Sequence, residues 1–231
     1  MTDHEGKRPF AGADGATLNR DVISAKALEL ADAEGLENVS VRKLASALGR
    51  TPMALYRHFG SMDEIKAAVV ALAFKEVDVA AVPGERWDDT LRRTTSSIRQ
   101  MHLRHRCAHL TYAEGSALDP GLREHTERVQ KLHRDQGIPD DVLSRAWRIV
   151  DAFLSGFIVN EIYEIERSDH HLSGGDRPAW FETAEGAYSE QSFRDGIEII
   201  IAGIRGIAAP DPCEWRTPLQ SGHPQRSDSD G

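Results

Sequence analysis

The sequence predicts an all-α protein, with an N-terminal three-helix unit of the helix-turn-helix type and a longer C-terminal helical domain. Three observations predict it. Apolar residues recur at i, i+3, i+4 and i+7 along most of the chain, as in amphipathic helices. Residues 40–60 carry four Lys or Arg and no Asp or Glu, whereas the whole chain has a formal net charge of −9. Residues 142–165 are apolar around nearly the whole circumference, as in a buried helix.

Two short helices around a tight turn are predicted between residues 40 and 60, after a first helix whose stripe of Ile23, Ala27 and Ala31 stops near residue 35. In the earlier of the two, Ser40 is a good N-cap and Gly49 a good stop. Its apolar stripe consists of Val41, Leu44, Ala45 and Leu48.

The later short helix starts after Thr51, which we expect to cap it, and Pro52, which suits a first helical position. Leu55 and Phe59 are four residues apart, so we expect them to face inward with Tyr56. The residues then left facing outward are Met53, Ala54 and Arg57.

A further helix is predicted to start at Ser61, which forms a capping box with Glu64, and to lead away as far as residue 81. The three helices and the start of this fourth one make a helix-turn-helix unit. In such units the second helix of the motif lies in the DNA major groove. Lys and Arg gain affinity for phosphate by releasing counterions, so DNA explains a basic window better than a chance run of solvated charge.

The run VISAKALELADAEGLENVSVRKLASALGRTPMALYRHFGSMDEI, from Val22 to Ile65, resembles the DNA-binding domain of the tetracycline-repressor (TetR) family. The resemblance implies a homodimeric, all-helical, ligand-responsive regulator, most often a repressor released from a palindromic operator by a small molecule. One position departs from the family: Met62 stands where a phosphate-contacting Lys is common, and Lys66 one turn later is a possible substitute.

This resemblance assigns roles to residues of the basic window. We expect Arg42 and the start of the second motif helix to approach bases or nearby phosphates, and Tyr56 and His58 to hold phosphates; Arg57 suits either role. The predicted DNA-binding set is Arg42, Thr51, Pro52, Met53, Ala54, Tyr56, Arg57 and His58.

Composition places limits on the rest. No apolar run is long enough to span a membrane and the N-terminus lacks the apolar core of a signal peptide, so a cytoplasmic protein is expected. Cys107 and Cys213 suit a reduced protein better than a redox pair. We predict disordered segments at 1–17 and 209–231, a DNA-binding domain at 18–66 and a ligand-binding and dimerisation domain at 67–208. Lys7 and Arg8 suit a solvated segment better than a minor-groove arm.

Residues 67–208 are predicted to be helical at about 87–105, 120–136, 142–165 and 190–208. Phrases such as GIPDDVLSRAWRIVDAFLSGF and FRDGIEIIIAGIRG resemble the ligand-binding half of TetR-like proteins, in which the last helix and the helix around Gly156 form a four-helix bundle across the dimer. The predicted interface is the stripe Phe193, Ile197, Ile200, Ile201 and Ile204, with Gly196, Gly203 and Gly206 allowing close approach.

Polar groups on the buried helix predict a mostly apolar pocket with a few anchors, although intramolecular partners such as Arg145 or Arg148 explain them too. By resemblance, the metal-linked positions of tetracycline repressors fall at Tyr112 and Asn160, so no metal, cofactor or tetracycline is expected. The predicted pocket residues are His105, Tyr112, Trp147, Asp151 and Asn160.

Histidines at 102, 105 and 109 share one helix face, and the last two have the spacing of metal ligands. Solvated or hydrogen-bonded histidines at a polar helix end explain them better. The sequence contains no Gly-rich phosphate loop, nucleophile elbow or HExxH pattern, and we expect no enzyme. Two alternatives stay open: a ligand-independent DNA-binding activator or architectural protein, and a helical small-molecule-binding protein that no longer binds DNA.

Overall fold

The computed structural model describes residues 17–108, 120–169, 187–208 and 211–219. Within these ranges the chain is all-α, as predicted, and its only extended pairing is one antiparallel bridge between Arg86 and Arg216. Two short 3-10 helices, Leu36–Asn38 and Pro212–Glu214, accompany the α-helices. The α-helices are α1 (Arg20–Glu34), α2 (Val41–Ala47), α3 (Pro52–Tyr56), α4 (Met62–Phe74), α5 (Trp87–Arg104), α6 (Pro120–Asp135), α7 (Asp140–Asp169) and α8 (Glu190–Ile207).

Helices α1 to α4 form the N-terminal bundle. The most deeply buried side chains of its core, each at most 1% exposed, include Ile23, Leu44, Leu55, Phe59 and Ile65. Leu55 and Phe59 therefore face inward as expected. Tyr56 does not join them, since it is 47% exposed.

The turn between α2 and α3 depends on Gly49, whose φ of +63° lies in the left-handed region that costs glycine little. The N–H groups of Gly49 and Arg50 donate to the carbonyls of Ser46 and Ala45, at 3.0 and 2.8 Å. Ser40 caps α2 by accepting from the N–H of Lys43 at 3.3 Å. Thr51 occupies the N-cap position of α3 as predicted, but its side chain makes no capping hydrogen bond.

Helix α4 begins with a capping arrangement close to the predicted one. Ser61 Oγ accepts from the Glu64 N–H at 3.1 Å, and Glu64 accepts from the N–H of Gly60 at 2.6 Å. The helix ends at Phe74 and does not run on to residue 81. The chain beyond it is held by Arg93, whose guanidinium donates to the carbonyls of Asp78 and Ala80 at 3.3 and 2.8 Å.

The C-terminal half packs α5, α7 and α8 around one core. Trp87, Ile162, Phe193 and Ile201 are among its most deeply buried side chains. Arg99 of α5 forms an ion pair with Glu161 of α7, and both side chains are largely shielded from solvent. Helix α7 is longer than predicted and continues four residues beyond Ile165.

Residues 211–219 are ordered against this core, so the prediction of a disordered segment from 209 onward is wrong for that part. Trp215 is 4% exposed and packs edge-on against Trp87, with ring centroids 5.8 Å apart. The Trp87 indole N–H donates to the Pro212 carbonyl at 2.8 Å. Thr217 exchanges backbone hydrogen bonds with residues 84 and 85. Both indoles are almost completely removed from water. Their burial explains why this segment is ordered, which its polar composition does not predict.

Several predictions fall outside the described residues. They concern Lys7, Arg8, His109 and Tyr112, together with residues 1–16, 209–210 and 220–231 of the predicted disordered segments. Among the described helices, none combines the length and apolar character that a bilayer crossing requires.

Candidate functional sites: a basic face, a cavity and an apolar seam

The outward side of α2 and α3 presents basic and hydrogen-bonding side chains to solvent. We call its exposed residues the recognition face: Arg42, Arg50, Thr51, Pro52, Met53, Tyr56 and Arg57. Met53, the second residue of α3, is 69% exposed, which is unusual for so apolar a side chain. Six of the eight predicted DNA-binding residues belong to this face. The other two, Ala54 and His58, are half-buried.

Three guanidinium groups of the recognition face have no acidic partner. Arg42, Arg50 and Arg57 form no ion pair or hydrogen bond with any part of the chain that the structure describes. Lys43, also in the basic window, is different because it pairs with Glu34 of α1. The face therefore holds three positive charges that are free to meet an anion.

Arg20 of α1 is a supporting residue that the sequence did not reveal. It donates to the carbonyl of His58, forms an ion pair with Glu64 at 2.7 Å, and lies 3.9 Å from the Phe59 ring centroid. The hydrogen bond from Gly60, together with Arg20, lowers the pKa of Glu64. Arg20 thus fixes the junction between α3 and α4. The sequence analysis missed this role because the contacts of Arg20 are far from it along the chain.

Met62, which replaces a common Lys of the family, is half-buried and packs on the core of the N-terminal bundle. Lys66 is half-buried as well, with no acidic partner in the described ranges. That Lys66 supplies the phosphate contact which Met62 cannot make stays a prediction.

A cavity of about 270 Å³ lies in the C-terminal half. Helices α5, α6 and α7 supply most of its walls, and Phe74 of α4 and Ile204 of α8 also reach it. Two tryptophans, Trp87 and Trp147, line it, and Asp151 does too. The structure thus brings Trp147 and Asp151 of the predicted set to one cavity.

Two other residues of the predicted pocket do not line this cavity. His105 is buried between Asp32 of α1 and Glu76, with nitrogen–oxygen distances of 2.8 and 3.1 Å. Asn160 is exposed and donates to the Gly156 carbonyl of its own helix at 2.6 Å. Their placement as pocket anchors was wrong, because helical spacing shows which residues share a face but not what that face meets.

Helix α6 contributes a wall that the sequence analysis missed. His125, Val129 and His133 recur every four residues along it, and all three line the cavity. That spacing on an otherwise polar helix was the signal available in the sequence. Burial lowers the pKa of both histidines to about 4, helped at His125 by the charge of Arg128. Both imidazoles are therefore neutral near pH 7.

The histidine near the end of α5 that reaches the cavity is His102, not His105. Its ring packs edge-on against Phe74, with centroids 5.5 Å apart. Within the described residues, no group of three His, Cys, Asp or Glu is arranged to hold a metal ion. Both cysteines are free thiols, and burial raises the pKa of Cys107 to about 12.

Helix α4 connects the cavity to the N-terminal bundle. Ile65 and Val69, nearer its start, belong to the bundle core. Val70, Ala73 and Phe74, nearer its end, belong to a separate cluster with Met101 of α5. Any displacement of Phe74 in the cavity therefore acts on a helix whose other end lies in the core of the N-terminal bundle.

The predicted dimer stripe on α8 is wrong. Phe193, Ile197, Ile201 and Ile204 are buried in the core of their own subunit, and Ile200 is half-buried against it. The space beside Gly196 is also taken within the chain, by the Phe153 ring. Helix α8 carries apolar residues on more than one face, and periodicity does not tell which of them the subunit core uses.

A different apolar face remains exposed on α7 and α8, and we call it the seam face. Its large residues are Ile149, Val159 and Tyr163 of α7 with Ile199 and Ile207 of α8. Gly156, Gly203 and Gly206 have open space around them, so a second helix can approach closely there. Large apolar side chains exposed on two helices that share one core are typical of an interface between subunits.

Two family models match the chain. The model of "Bacterial regulatory proteins, tetR family" matches residues 23–69, and that of "Tetracyclin repressor-like, C-terminal domain" matches residues 81–207. The first match covers the recognition face, and the second covers the seam face and every described cavity residue except Phe74.

Relatives and solved structures agree with these models. The HTH-type transcriptional repressor DrrR1 of Streptomyces coeruleorubidus is 25% identical, over 89% of this chain and 86% of that protein. Tetracycline repressor protein class E of Escherichia coli is 25% identical, over 90% of this chain and 99% of that protein. The structure of the Streptomyces coelicolor TetR family protein ActR in complex with (S)-DNPA is 27% identical, with a TM-score of 0.66, and covers 84% of this chain and all of that one.

Proposed function

This chain belongs to the TetR family of bacterial regulatory proteins, and from that premise we propose that it binds a palindromic DNA operator as a homodimer and leaves it when a small molecule fills the cavity. It is a ligand-responsive DNA-binding transcriptional repressor. The proposal concerns how its own residues perform that role, and which surfaces do so.

The observation that carries the proposal is the recognition face. Arg42, Arg50 and Arg57 lack acidic partners among the described residues, although the chain as a whole is acidic. An arginine that neutralises a phosphate displaces a condensed counterion from DNA. The release of these counterions favours binding, so unpaired arginines on one face raise its affinity for DNA. We assign base contacts to Thr51, Pro52 and Met53, because the first residues of the second helix meet base edges in a helix-turn-helix.

The palindrome follows from the dimer. One helix-turn-helix reads one half-site, and two related by a two-fold axis read an inverted repeat whose half-sites lie about 34 Å apart. We assign the dimer contact to the seam face, since Ile199 and Ile207 are exposed there and glycines leave room for a partner helix. The cavity lies within one subunit, between the seam face and the N-terminal bundle.

Two links run toward the recognition face, one from the cavity itself and one from the end of α5, which lines it. Phe74 lines the cavity at the end of α4, and α4 carries the junction that Arg20 fixes. His105, just after α5, contacts Asp32 of α1 and Glu76 after α4. A molecule that displaces Phe74 shifts α4 and separates the two recognition faces. Release requires that this molecule bind the shifted state more tightly, because equal affinity for both states changes nothing.

We also propose that DNA binding and ligand binding belong to different parts of the chain. We assign DNA binding to residues 18–66 and ligand binding with dimerisation to residues 67–208, with α4 crossing the boundary. We also propose that the protein acts in the cytoplasm and catalyses no reaction. The hydroxyls of Thr94 and Thr95 in the cavity wall donate to carbonyls of their own helix, at 2.8 and 2.7 Å, which leaves them without the general base that a nucleophile needs.

The test is selection followed by a reporter. The full chain is used to enrich bound sequences from a randomised duplex library, and the proposal predicts an inverted repeat. That repeat is then placed between a promoter and a fluorescent reporter in Escherichia coli. Expression of the chain should lower fluorescence, and an Arg42→Ala/Arg57→Ala variant should restore it. Enrichment of no repeat, or fluorescence that the wild type leaves unchanged or raises, contradicts the proposal.

A further inference from the structure

The two cavity histidines of α6 differ in one respect. His133 Nδ1 lies 3.1 Å from the Gln136 side-chain oxygen, and Gln136 in turn donates to the hydroxyls of Thr90 and Thr217 at 2.6 and 3.2 Å. His125 Nδ1 is buried and has no hydrogen-bond partner among the described residues. The His125 side chain belongs to a residue that is 6% exposed and lines the cavity.

A buried polar atom without a partner is rare, because it has lost its hydration and gained nothing in return. The same helix shows that the fold can satisfy such an atom, since Gln136 does so for His133. Departures from this rule concentrate at functional sites, where a ligand supplies the missing partner. His125 Nδ1 therefore marks a point at which a ligand atom belongs.

The rest of the described lining restricts the chemistry of that ligand. It contains no Lys and no Arg, so a carboxylate or phosphate entering the cavity meets no cation among these described residues. Trp87, Trp147 and Phe74 offer ring surfaces against which a planar molecule packs. A cavity of roughly 150 Å³ already holds benzene, so one of about 270 Å³ accommodates two fused rings.

We propose that the cavity takes a neutral, planar and mostly apolar molecule that carries a hydroxyl group hydrogen-bonded to His125 Nδ1. A hydroxyl both donates and accepts, so it suits either tautomer of the neutral imidazole. This inference rests on the proposed function and names the ligand class of its cavity. It also places the polar anchor beside the helix that reports binding, since the rings of His125 and Phe74 have centroids 4.8 Å apart.

Three probes of one shape test the ligand class: 1-naphthol, naphthalene and 1-naphthoate. Each is titrated calorimetrically into the full-length protein at pH 7.5. A net hydrogen bond of ordinary strength predicts that 1-naphthol binds about five- to tenfold more tightly than naphthalene. The naphthoate anion should bind at least about tenfold more weakly than 1-naphthol, because its desolvation is not repaid.

Variants separate an anchor from a residue that merely fills space. In His125→Phe the preference for 1-naphthol over naphthalene should disappear, and in His125→Gln it should return, because the amide restores a donor and an acceptor. The melting temperature of His125→Phe without probe should equal or exceed that of the wild type, since an unsatisfied nitrogen has been removed. Ser155→Ala, which alters another polar group of the wall, is the matched control and should keep the preference.

The inference is overturned if 1-naphthol does not bind the wild type, if naphthoate binds as tightly, or if His125→Phe keeps the preference. Loss of the preference in Ser155→Ala alone would also overturn it, by moving the anchor. Binding of each variant to the selected operator is measured without probe. Intact operator binding with a failed probe series rejects this ligand class only, whereas absent operator binding in the wild type rejects the proposed function.

Discussion

Arginines are used in opposite ways in the two parts of the molecule. In the C-terminal half, Arg86, Arg92 and Arg205 surround the carboxylate of Asp88, whose side chain is 5% exposed. Arg92 also pairs with Glu198 of α8. On the recognition face, Arg42, Arg50 and Arg57 have no acidic partner in the described chain. The first arrangement joins helices to each other, and the second keeps charge available for something outside the chain.

Electrostatics at Asp88 shows what the paired arrangement achieves. Burial by itself raises the pKa of this carboxyl group, but the hydrogen bonds and charges of Arg86 and Arg205 outweigh burial and lower it. Asp88 stands at the start of α5 and Arg205 at the end of α8, so the pair fixes the two helices at the edge of the cavity. An arginine of the recognition face, in contrast, contributes little to the stability of the fold, because its charge has a partner only when DNA phosphate is bound.

The largest predicted effect concerns the seam face. Replacing Ile199 and Ile207 together with Asp puts two charges per subunit into the proposed contact, which should give a folded monomer whose affinity for the inverted repeat falls at least about 100-fold. Sedimentation velocity measures the oligomeric state, circular dichroism measures folding, and titration of the inverted repeat measures the affinity. The control replaces Val82 and Leu219, which are also exposed and apolar, with Asp and should remain a dimer.

The stripe on α8 that the sequence predicted as the dimer interface should respond differently from the seam face. Ile204→Asp puts a charge into the subunit core, so it should unfold the chain instead of separating two folded subunits. If the Ile199/Ile207 variant still sediments as a dimer while Ile204→Asp yields a folded monomer, the seam face is wrongly assigned.

Local signals in the sequence were sufficient to predict α2, the turn after it and α3. Ser40, Gly49 and the Leu55–Phe59 pair predict α2, the turn and α3 because short helices depend on caps and on one narrow stripe. The same reasoning missed Arg20, whose contacts lie 38 residues away along the chain.

The C-terminal half was predictable only in outline. Helix α8 has apolar residues on two faces, so the stripe of Phe193, Ile197 and Ile201 and the seam residues Ile199 and Ile207 look equally plausible before the neighbours of α8 are known. The cavity wall of α6 and the ordering of Trp215 depend on contacts between distant segments, which composition does not record.

The next effect concerns the ordered segment after α8. Trp215→Ala removes a buried indole from its contact with Trp87 and should lower the free energy of unfolding by about 3 kcal/mol. Urea unfolding at one fixed protein concentration measures it, since dimer stability depends on concentration. Leu219→Ala, at a side chain 74% exposed, is the control and should change stability very little. A Trp215 variant as stable as the wild type would mean that this segment does not support the core.

A smaller, pH-dependent effect belongs to the cavity. His125 is neutral in the folded chain down to about pH 4, whereas in the unfolded chain it takes up a proton near pH 6.5. The unfolded state therefore binds more protons between these values, and stability falls as the pH drops from 6.5 toward 4. At pH 5 this histidine alone should account for a loss of about 2 kcal/mol relative to pH 7.5.

Urea unfolding at pH 7.5, 6 and 5 follows this loss, and His125→Phe should lose about 2 kcal/mol less over the range. Ser155→Ala, which removes a cavity-wall hydroxyl that does not titrate in this range, is the control and should keep the wild-type pH profile. Identical profiles for wild type and His125→Phe would place the titrating group elsewhere.

The contrast between unpaired and paired arginines is tested most directly by the salt dependence of operator binding. Two triple variants remove the same charge: Arg42→Ala/Arg50→Ala/Arg57→Ala on the recognition face, and Arg134→Ala/Arg145→Ala/Arg194→Ala, whose partners are exposed carboxylates. In a plot of log affinity against log salt concentration, the first variant should bind weakly, with a slope reduced by about 0.9 for each phosphate that the protein no longer neutralises. The second should keep the wild-type slope. Equal slopes for the two variants would contradict the account, because affinity would then follow net charge and not the recognition face.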